Sequence, residues 1–355
     1  MRKYRLILLV LALALAAAAQ PLGRERIQSI EKLIGDEMAK QGIPAITAAV
    51  ATGGEWRWSA GFGMADVENN VPARSSTIYR LGSISKPITA VAAMQLVEKG
   101  KLDLDAPVQK YVPAFPQKQW PVTARQLLGH LGGIRHYSNA AEVDSTRHYT
   151  NLLDPLQIFA KDPLVAEPGT KFNYTTYGYV LLGAVVEAAA SAKFMDYLRE
   201  NIILPAGMER MQADSVFAII ANRARGYRRY ATGQLENCAL ADTSNKIPGG
   251  GLSSTSDDLV KFALAVRRGA LLKPDSVERM FTRQKTRDGA DAPYGLGWNV
   301  TTLDGRKMVL HSGGQQGTST VLVLLPKEGV SVALMCNLER GNLSALAGQI
   351  VRALE

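Results

Sequence analysis

Cysteine is nearly absent: Cys238 and Cys336 are the only two in 355 residues. So distant a pair builds no disulfide framework, and Cys336, inside "VSVALMCNL", reads as a small apolar residue of a buried strand. Histidine is scarce too, with His130, His136, His148 and His311 as the whole set. They lack paired ligand spacing, and no HExxH or CxxC occurs, which argues against a metal centre. Also missing are a Gly-x-Ser-x-Gly elbow, a P-loop and a GxGxxG turn. These absences exclude nucleotide chemistry and leave no cofactor implied. The formal charge of +9 is scattered, the densest run being "RGYRR" at 225–229. Nucleic acid is therefore not an expected partner, and only a mild preference for anionic surfaces follows. Beyond residue 19 no stretch is apolar for long enough to cross a bilayer.

What is present begins at the N-terminus. Arg2, Lys3 and Arg5 precede "LILLVLALALAAAA", and Ala17-Ala18-Ala19 offers a small-residue cleavage site before Gln20. The pattern predicts a signal peptide over 1–19 and a periplasmic or secreted protein, with an uncleaved anchor as the alternative. Once cleaved, no stable membrane insertion is expected. No cysteine follows the small residues, which argues against a lipid anchor. The remainder is long enough for one large domain or two interleaved ones.

Two regions carry strand patterns. "AITAAVATGGEWRWSAGFG" is a pair of strand-like runs joined by Gly53-Gly54, a hairpin signal. Near the other end, "GWNVTTLDGRKMVLHSG" turns at Asp304-Gly305, and "STVLVLLPKEGVSVALMCN" turns through Pro326–Gly329. Helical periodicity flanks both regions, in "RERIQSIEKLIGDEMAKQG", with Ile27, Ile30, Ile34 and Met38 on one stripe, and in "GNLSALAGQIVRALE". Between them the chain reads mainly as helices and loops. "TSDDLVKFALAVRRG" opens with a Thr255-x-x-Asp258 capping pattern and closes at Gly269. The expected fold class is α+β. Residues 20–85 and 290–355 supply an antiparallel sheet flanked by N- and C-terminal helices, and residues 86–289 an inserted, mostly helical domain.

Ser83-Ile84-Ser85-Lys86 opens one of these helical runs. On a helix, positions i and i+3 share a face, so the Lys86 amine could reach the Ser83 hydroxyl. The helix N-terminus would favour negative charge developing there. Serine needs such help to act as a nucleophile. Serine is equally a favoured helix cap, and Pro87 biases Lys86 away from helical dihedrals. The four residues alone leave both readings open.

Their surroundings do not. "TIYRLGSISKPITAVAAMQLVEKGKLDLDAPVQKYVP" resembles the nucleophile block of the serine β-lactamase and penicillin-binding superfamily, class C branch. "VTARQLLGHLGGIRHY", "EPGTKFNYTTYGYVLLGAVVE", "GGGLSSTSDDLVKF", "YGLGW" and "HSGGQQGTSTVLVLLP" resemble its further blocks, in order and across most of the chain. The wording is most similar to the serine β-lactamase-like proteins, which include bacterial members and mitochondrial relatives.

The resemblance implies that Ser83 is the nucleophile, Lys86 its partner and Tyr174 the phenol that shuttles the proton. A phenol with an ordinary pKa near 10 leaves little phenolate at neutral pH; Lys86 nearby would stabilise the anion. Tyr137-Ser138-Asn139 is a literal Tyr-x-Asn, but only Tyr174 has the "PGTKF" lead-in and the "GYVLLG" helix behind it. His311-Ser312-Gly313 takes the place of the Lys-Thr-Gly strand, whose backbone would pair with substrate. The amides of Ser83 and Gly314 would form the oxyanion hole. His311 would join the Ser83–Tyr174 network or meet a substrate carboxylate, or else be a strand histidine bonded to a backbone carbonyl. Thr176 replaces the asparagine of Tyr-x-Asn. With Thr176 and His311 in those places the grip on a β-lactam weakens, while acylation by a small peptide or ester stays plausible. The implied function is that of a serine hydrolase of peptidase or esterase type. A true β-lactamase or D,D-carboxypeptidase is the alternative, and a non-catalytic, filament-forming scaffold is a reading of another class.

Overall fold

The structure, a computed structural model, describes residues 22–355. The expected leader over residues 1–19 lies outside them. Strands β1 (Ala45–Thr52) and β2 (Glu55–Asp66) form the first hairpin. It turns at Gly53 and Gly54, whose φ of 60° and 77° suits a residue without a Cβ. A two-residue β3 (Val71–Pro72) follows at the edge. The C-terminal strands are β4 (Asn299–Leu303), β5 (Arg306–Gln315), β6 (Thr318–Leu325) and β7 (Val330–Cys336). Together they make one seven-stranded sheet in the order β3-β2-β1-β7-β6-β5-β4. Every neighbouring pair is antiparallel, and β1 meets β7 from Ile46↔Cys336 to Ala51↔Ser331. The strands thus come from both ends of the chain, as the turn signals at 53–54, 304–305 and 326–329 predict.

Alternation along the strands gives the sheet two apolar faces. On the back, Ile46, Ala48, Val50, Val321, Val323 and Leu334 pack under α1 (Arg24–Gln41) and α5 (Ser344–Ala353). Ile30 and Ile34 of α1 and Leu346 and Ile350 of α5 are fully buried there. The two helices also meet at their ends, where the Arg26 guanidinium donates to the Glu355 carbonyl oxygen at 2.6 Å. On the front, Ala49, Ala51, Leu322, Leu324, Ala333 and Met335 join a larger core. That core contains α2 (Ser85–Glu98), α3 (Thr176–Ala190) and α4 (Ser256–Arg267).

Every residue of α2 from Ser85 to Leu96 is buried. A helix wrapped on all sides needs no polar face, so its sequence carries no amphipathic stripe. Pro87 sits in its first turn, where the missing N–H would have found no helical partner. Helix α4 starts as its sequence predicts: the Thr255 side chain accepts from the Asp258 N–H at 3.2 Å. The reciprocal half of a capping box is absent, because Asp258 Oδ2 instead accepts from the Arg210 N–H and the Ser254 hydroxyl. Both cysteines are free thiols, Cys336 buried and Cys238 half-buried.

Candidate active site

The chain enters α2 through a tight 3-10 turn over Gly82–Ile84 that begins with Gly82 at a φ of 53°. Ser85 is the structural serine of the pair: its hydroxyl donates to the Gly82 carbonyl at 2.9 Å and accepts from the Leu252 N–H at 3.2 Å. Ser83 is left partly exposed at the turn. Strand β5 closes over it without side chains between them. A Cβ on Gly82 would strike the Gly314 backbone, and one on Gly313 would strike the Leu81 carbonyl. These two glycines therefore allow the Gly314 backbone to lie against the turn that carries Ser83.

Lys86 is fully buried. Its Nζ lies 3.0 Å from Ser83 Oγ, 3.2 Å from Thr176 Oγ1 and 2.7 Å from the Gly249 carbonyl oxygen. Burial, reinforced by the positive charge of Lys246, holds its pKa well below that of an ordinary lysine. In its uncharged form the amine would have two hydrogens and one lone pair to share among these three oxygens. The Gly249 oxygen can only accept and would take one hydrogen; the Thr176 oxygen would take the other. The lone pair would be left for the proton of Ser83.

Tyr174 shows the opposite shift. Burial raises its pKa, and a hydrogen bond with the Ser83 side chain only partly offsets this. Lys86 Nζ lies 4.8 Å from the centre of its ring. Burial therefore works against a phenolate at Tyr174 and against an ammonium at Lys86 alike, and favours the uncharged form of both groups.

Around this pair stands a layer of histidine and aromatic rings. His130 lies between Tyr174, Tyr179 and Tyr294 at centroid distances of 4.4, 5.1 and 4.7 Å. Its Nδ1 accepts from the Thr175 N–H at 3.2 Å. His136 Nδ1 accepts from the Thr176 N–H at 3.2 Å. Burial, first, and then the charges of Lys86 and Lys246 lower His136 to about 4. His311 faces inward, because the strand alternates: His311 and Gly313 are buried while Ser312 and Gly314 are exposed. His311 Nδ1 lies 2.7 Å from the Ser312 carbonyl oxygen, which can only accept, so that nitrogen carries the hydrogen. Nε2 therefore accepts from the Tyr294 hydroxyl at 2.8 Å. Burial lowers His311 to about 3. Both ring nitrogens are thus engaged within the protein, Nδ1 by a backbone carbonyl as in the second of the two sequence readings.

A cavity of about 810 Å³ opens over the turn and is lined by Ser83, Thr176, Ser312, Gly313 and Gly314. Tyr137 and His136 line it too. Tyr137 thus belongs to the wall, and its phenol hydrogen-bonds the Thr176 side chain. The loop carrying both is held by Arg135, which bonds Glu142 at 2.8 and 3.0 Å and Asp162 at 2.5 Å. Sequence reasoning missed the Gly249 carbonyl, Lys246, His130, His136 and Tyr294. Only the quoted "GGGLSS", "HLGGIRHY" and "YGLGW" blocks point near some of them.

The Beta-lactamase family profile matches residues 30–354. The human serine beta-lactamase-like protein LACTB, mitochondrial, is 30% identical over 431 residues, spanning 91% of this chain and 79% of the relative. Among solved structures, the octameric penicillin-binding protein homologue from Pyrococcus abyssi aligns with a TM-score of 0.81 at 28% identity, covering 92% of this chain and 77% of that one. The D-amino acid amidase from Ochrobactrum anthropi SV3, at 22% identity, shares the fold with a TM-score of 0.81 over 93% of this chain and 99% of its own. One expectation is corrected. The human relative and its mouse and bovine counterparts are mitochondrial proteins, which overturns the reading of a periplasmic or secreted protein.

Proposed function

Because the chain belongs to the Beta-lactamase family and is a serine hydrolase of the β-lactamase and penicillin-binding class, we propose that it cleaves amide or ester bonds through an acyl-enzyme on Ser83. The observation that carries this reading is the buried Lys86 amine, 3.0 Å from Ser83 Oγ and held also by Thr176 Oγ1 and the Gly249 carbonyl oxygen. Lys86 takes the hydroxyl proton as Ser83 Oγ bonds to the carbonyl carbon. The N–H groups of Ser83 and Gly314 receive the oxyanion, and each such donor is worth roughly 100–1,000-fold in rate. As the bond to the leaving group breaks, the Tyr174 phenol gives it a proton and is reprotonated from the Lys86 ammonium. Water then attacks the ester at Ser83, its proton returning through the same groups.

Thr176 orients the amine, and Ser312 and Gly313 supply strand backbone for an extended substrate. His311 does not supply the cation that a β-lactam carboxylate needs, which favours peptides and esters over β-lactams. The test is intact-mass measurement after exposure to a fluorophosphonate, simple esters, D-amino-acid peptides and a penicillin. Wild type gains the acyl or phosphonyl mass and turns esters or peptides over. Ser83→Ala gains nothing and loses activity by at least about 10⁴-fold. Equal activity in the two proteins would sink the reading. A penicillin adduct released within seconds would point instead to a true β-lactamase.

A further inference from the structure

Tyr174 is held on both sides by one residue. The His130 carbonyl oxygen accepts from the Asn173 N–H at 2.8 Å, and His130 Nδ1 accepts from the Thr175 N–H at 3.2 Å. The peptide groups that flank the proton donor are thus fixed to a single side chain and its own backbone. His130 itself sits at a φ of 57°, in the left-handed region that histidine enters more readily than most residues with a Cβ. Its ring is fully buried. Of the four aromatic side chains around it, Phe172, Tyr174, Tyr179 and Tyr294, the nearest by ring centroid is Tyr174, at 4.4 Å.

Accepting at Nδ1 fixes the tautomer. Burial, and then the charge of Lys86, keep a second proton off the ring, so the hydrogen is on Nε2. That buried N–H has no acceptor. A stranded donor costs stability in the resting protein, and the aromatic faces around it are a weak substitute for an oxygen. During turnover the surroundings change. Once the Tyr174 phenol has given its proton to the leaving group it is a phenolate, until the Lys86 ammonium returns one. An N–H dipole already fixed beside that ring stabilises the anion without reorganisation. Lys86 Nζ, 4.8 Å from the same ring centre, is the other positive group there. We propose that His130 is the positioning residue of the proton-donor step: it clamps the backbone on both sides of Tyr174 and lends its unpartnered Nε2–H to the negative charge that develops on that ring. The proposal rests on Ser83 as the nucleophile and Tyr174 as the proton donor.

The test compares two esters of one acyl group, p-nitrophenyl acetate and ethyl acetate. p-Nitrophenolate leaves without a proton and ethoxide only with one, so the second substrate alone draws on Tyr174. Both form the same acyl-enzyme, and their ratio of kcat/KM does not depend on how much of a variant is folded. His130→Asn tolerates the left-handed φ and keeps an oxygen for the Thr175 N–H, but lacks the ring N–H. It should lower kcat/KM for the ethyl ester about 10–100-fold and for the p-nitrophenyl ester by less than about threefold. His130→Gln should shift the ratio in the same direction. In a Tyr174→Phe background the donor is already gone, so adding His130→Asn should change the ethyl-ester rate by less than about threefold. Equal losses on the two esters, or losses that multiply with those of Tyr174→Phe, would make His130 a packing residue and overturn the proposal. If Ser83→Ala or Tyr174→Phe left ethyl-ester hydrolysis intact, the scheme beneath it would fall instead.

Discussion

On the back of the sheet, the fully buried side chains of the layer under α1 and α5 are aliphatic or sulfur-bearing except for Tyr227, whose hydroxyl accepts from the Val67 N–H at 2.8 Å. On the front, the core surrounds two buried lysines, Lys86 and Lys246, and buried His130 and His311. Among the described residues, buried side-chain atoms without a partner include His130 Nε2, both polar atoms of Asn245, Trp298 Nε1 and Gln316 Oε1; none belongs to a residue of the back layer. The back is packed for stability alone. The front accepts desolvated amines, imidazoles and unpaired groups, each of which costs stability. One of them, the buried Lys86 amine with its lowered pKa, is what the proposed chemistry requires.

Substitutions should therefore divide by face. The largest effect falls on Lys86→Met, which keeps a long apolar side chain and removes the amine. kcat/KM drops about 10²–10⁴-fold, while thermal melting shows a Tm equal to or above wild type, as removal of a buried polar group predicts. A fall in both would mean that the amine is structural. On the back, Ile350→Ala costs about 2–5 kcal/mol in urea unfolding and leaves kcat/KM within about twofold. A large loss of activity there would break the separation of the faces.

The smallest effect is on stability in mild acid. His130 and His311 are held neutral by burial, His311 at about 3 against an ordinary 6.5. Below pH 6.5 the unfolded chain binds protons that the folded chain refuses. The stabilisation from a depressed pKa is thus complete above that value and is lost as pH falls toward the folded one. Between pH 6.5 and 5.5 His311 should remove about 1 kcal/mol. Urea denaturation of His311→Gln across this window should show a shallower decline than wild type. An unchanged slope would mean that His311 already carries its proton.

How much of this was legible in the sequence follows the same division. The back announces itself: Ile30 and Ile34 recur at helical spacing, and the strands alternate between turn residues. The front does not. Helix α2 is buried on every side, so its periodicity is silent, and the Ser83–Lys86 spacing speaks only for two side chains on one face. Tyr174 is 88 residues beyond Lys86 in the chain, and the family block, not spacing, points to it. The Gly249 carbonyl has no residue-type signature at all. For His311 the position in the strand motif was readable, while its inward orientation, set by β5 against the Leu81 carbonyl, was not. The direction of the Lys86 and Tyr174 shifts depends on burial, which only packing decides.

The contact between Arg26 and Glu355 has a practical consequence. It brings the start of the first described helix and the final residue to one spot on the side of the sheet away from Ser83. A circular permutant that links residue 355 to residue 24 by a short Gly-Ser tether, and is opened at the Asp304-Gly305 turn, would relocate both termini without cutting any segment that lines the cavity over Ser83. The order in which the strands leave the ribosome could then be changed while the site stays the same.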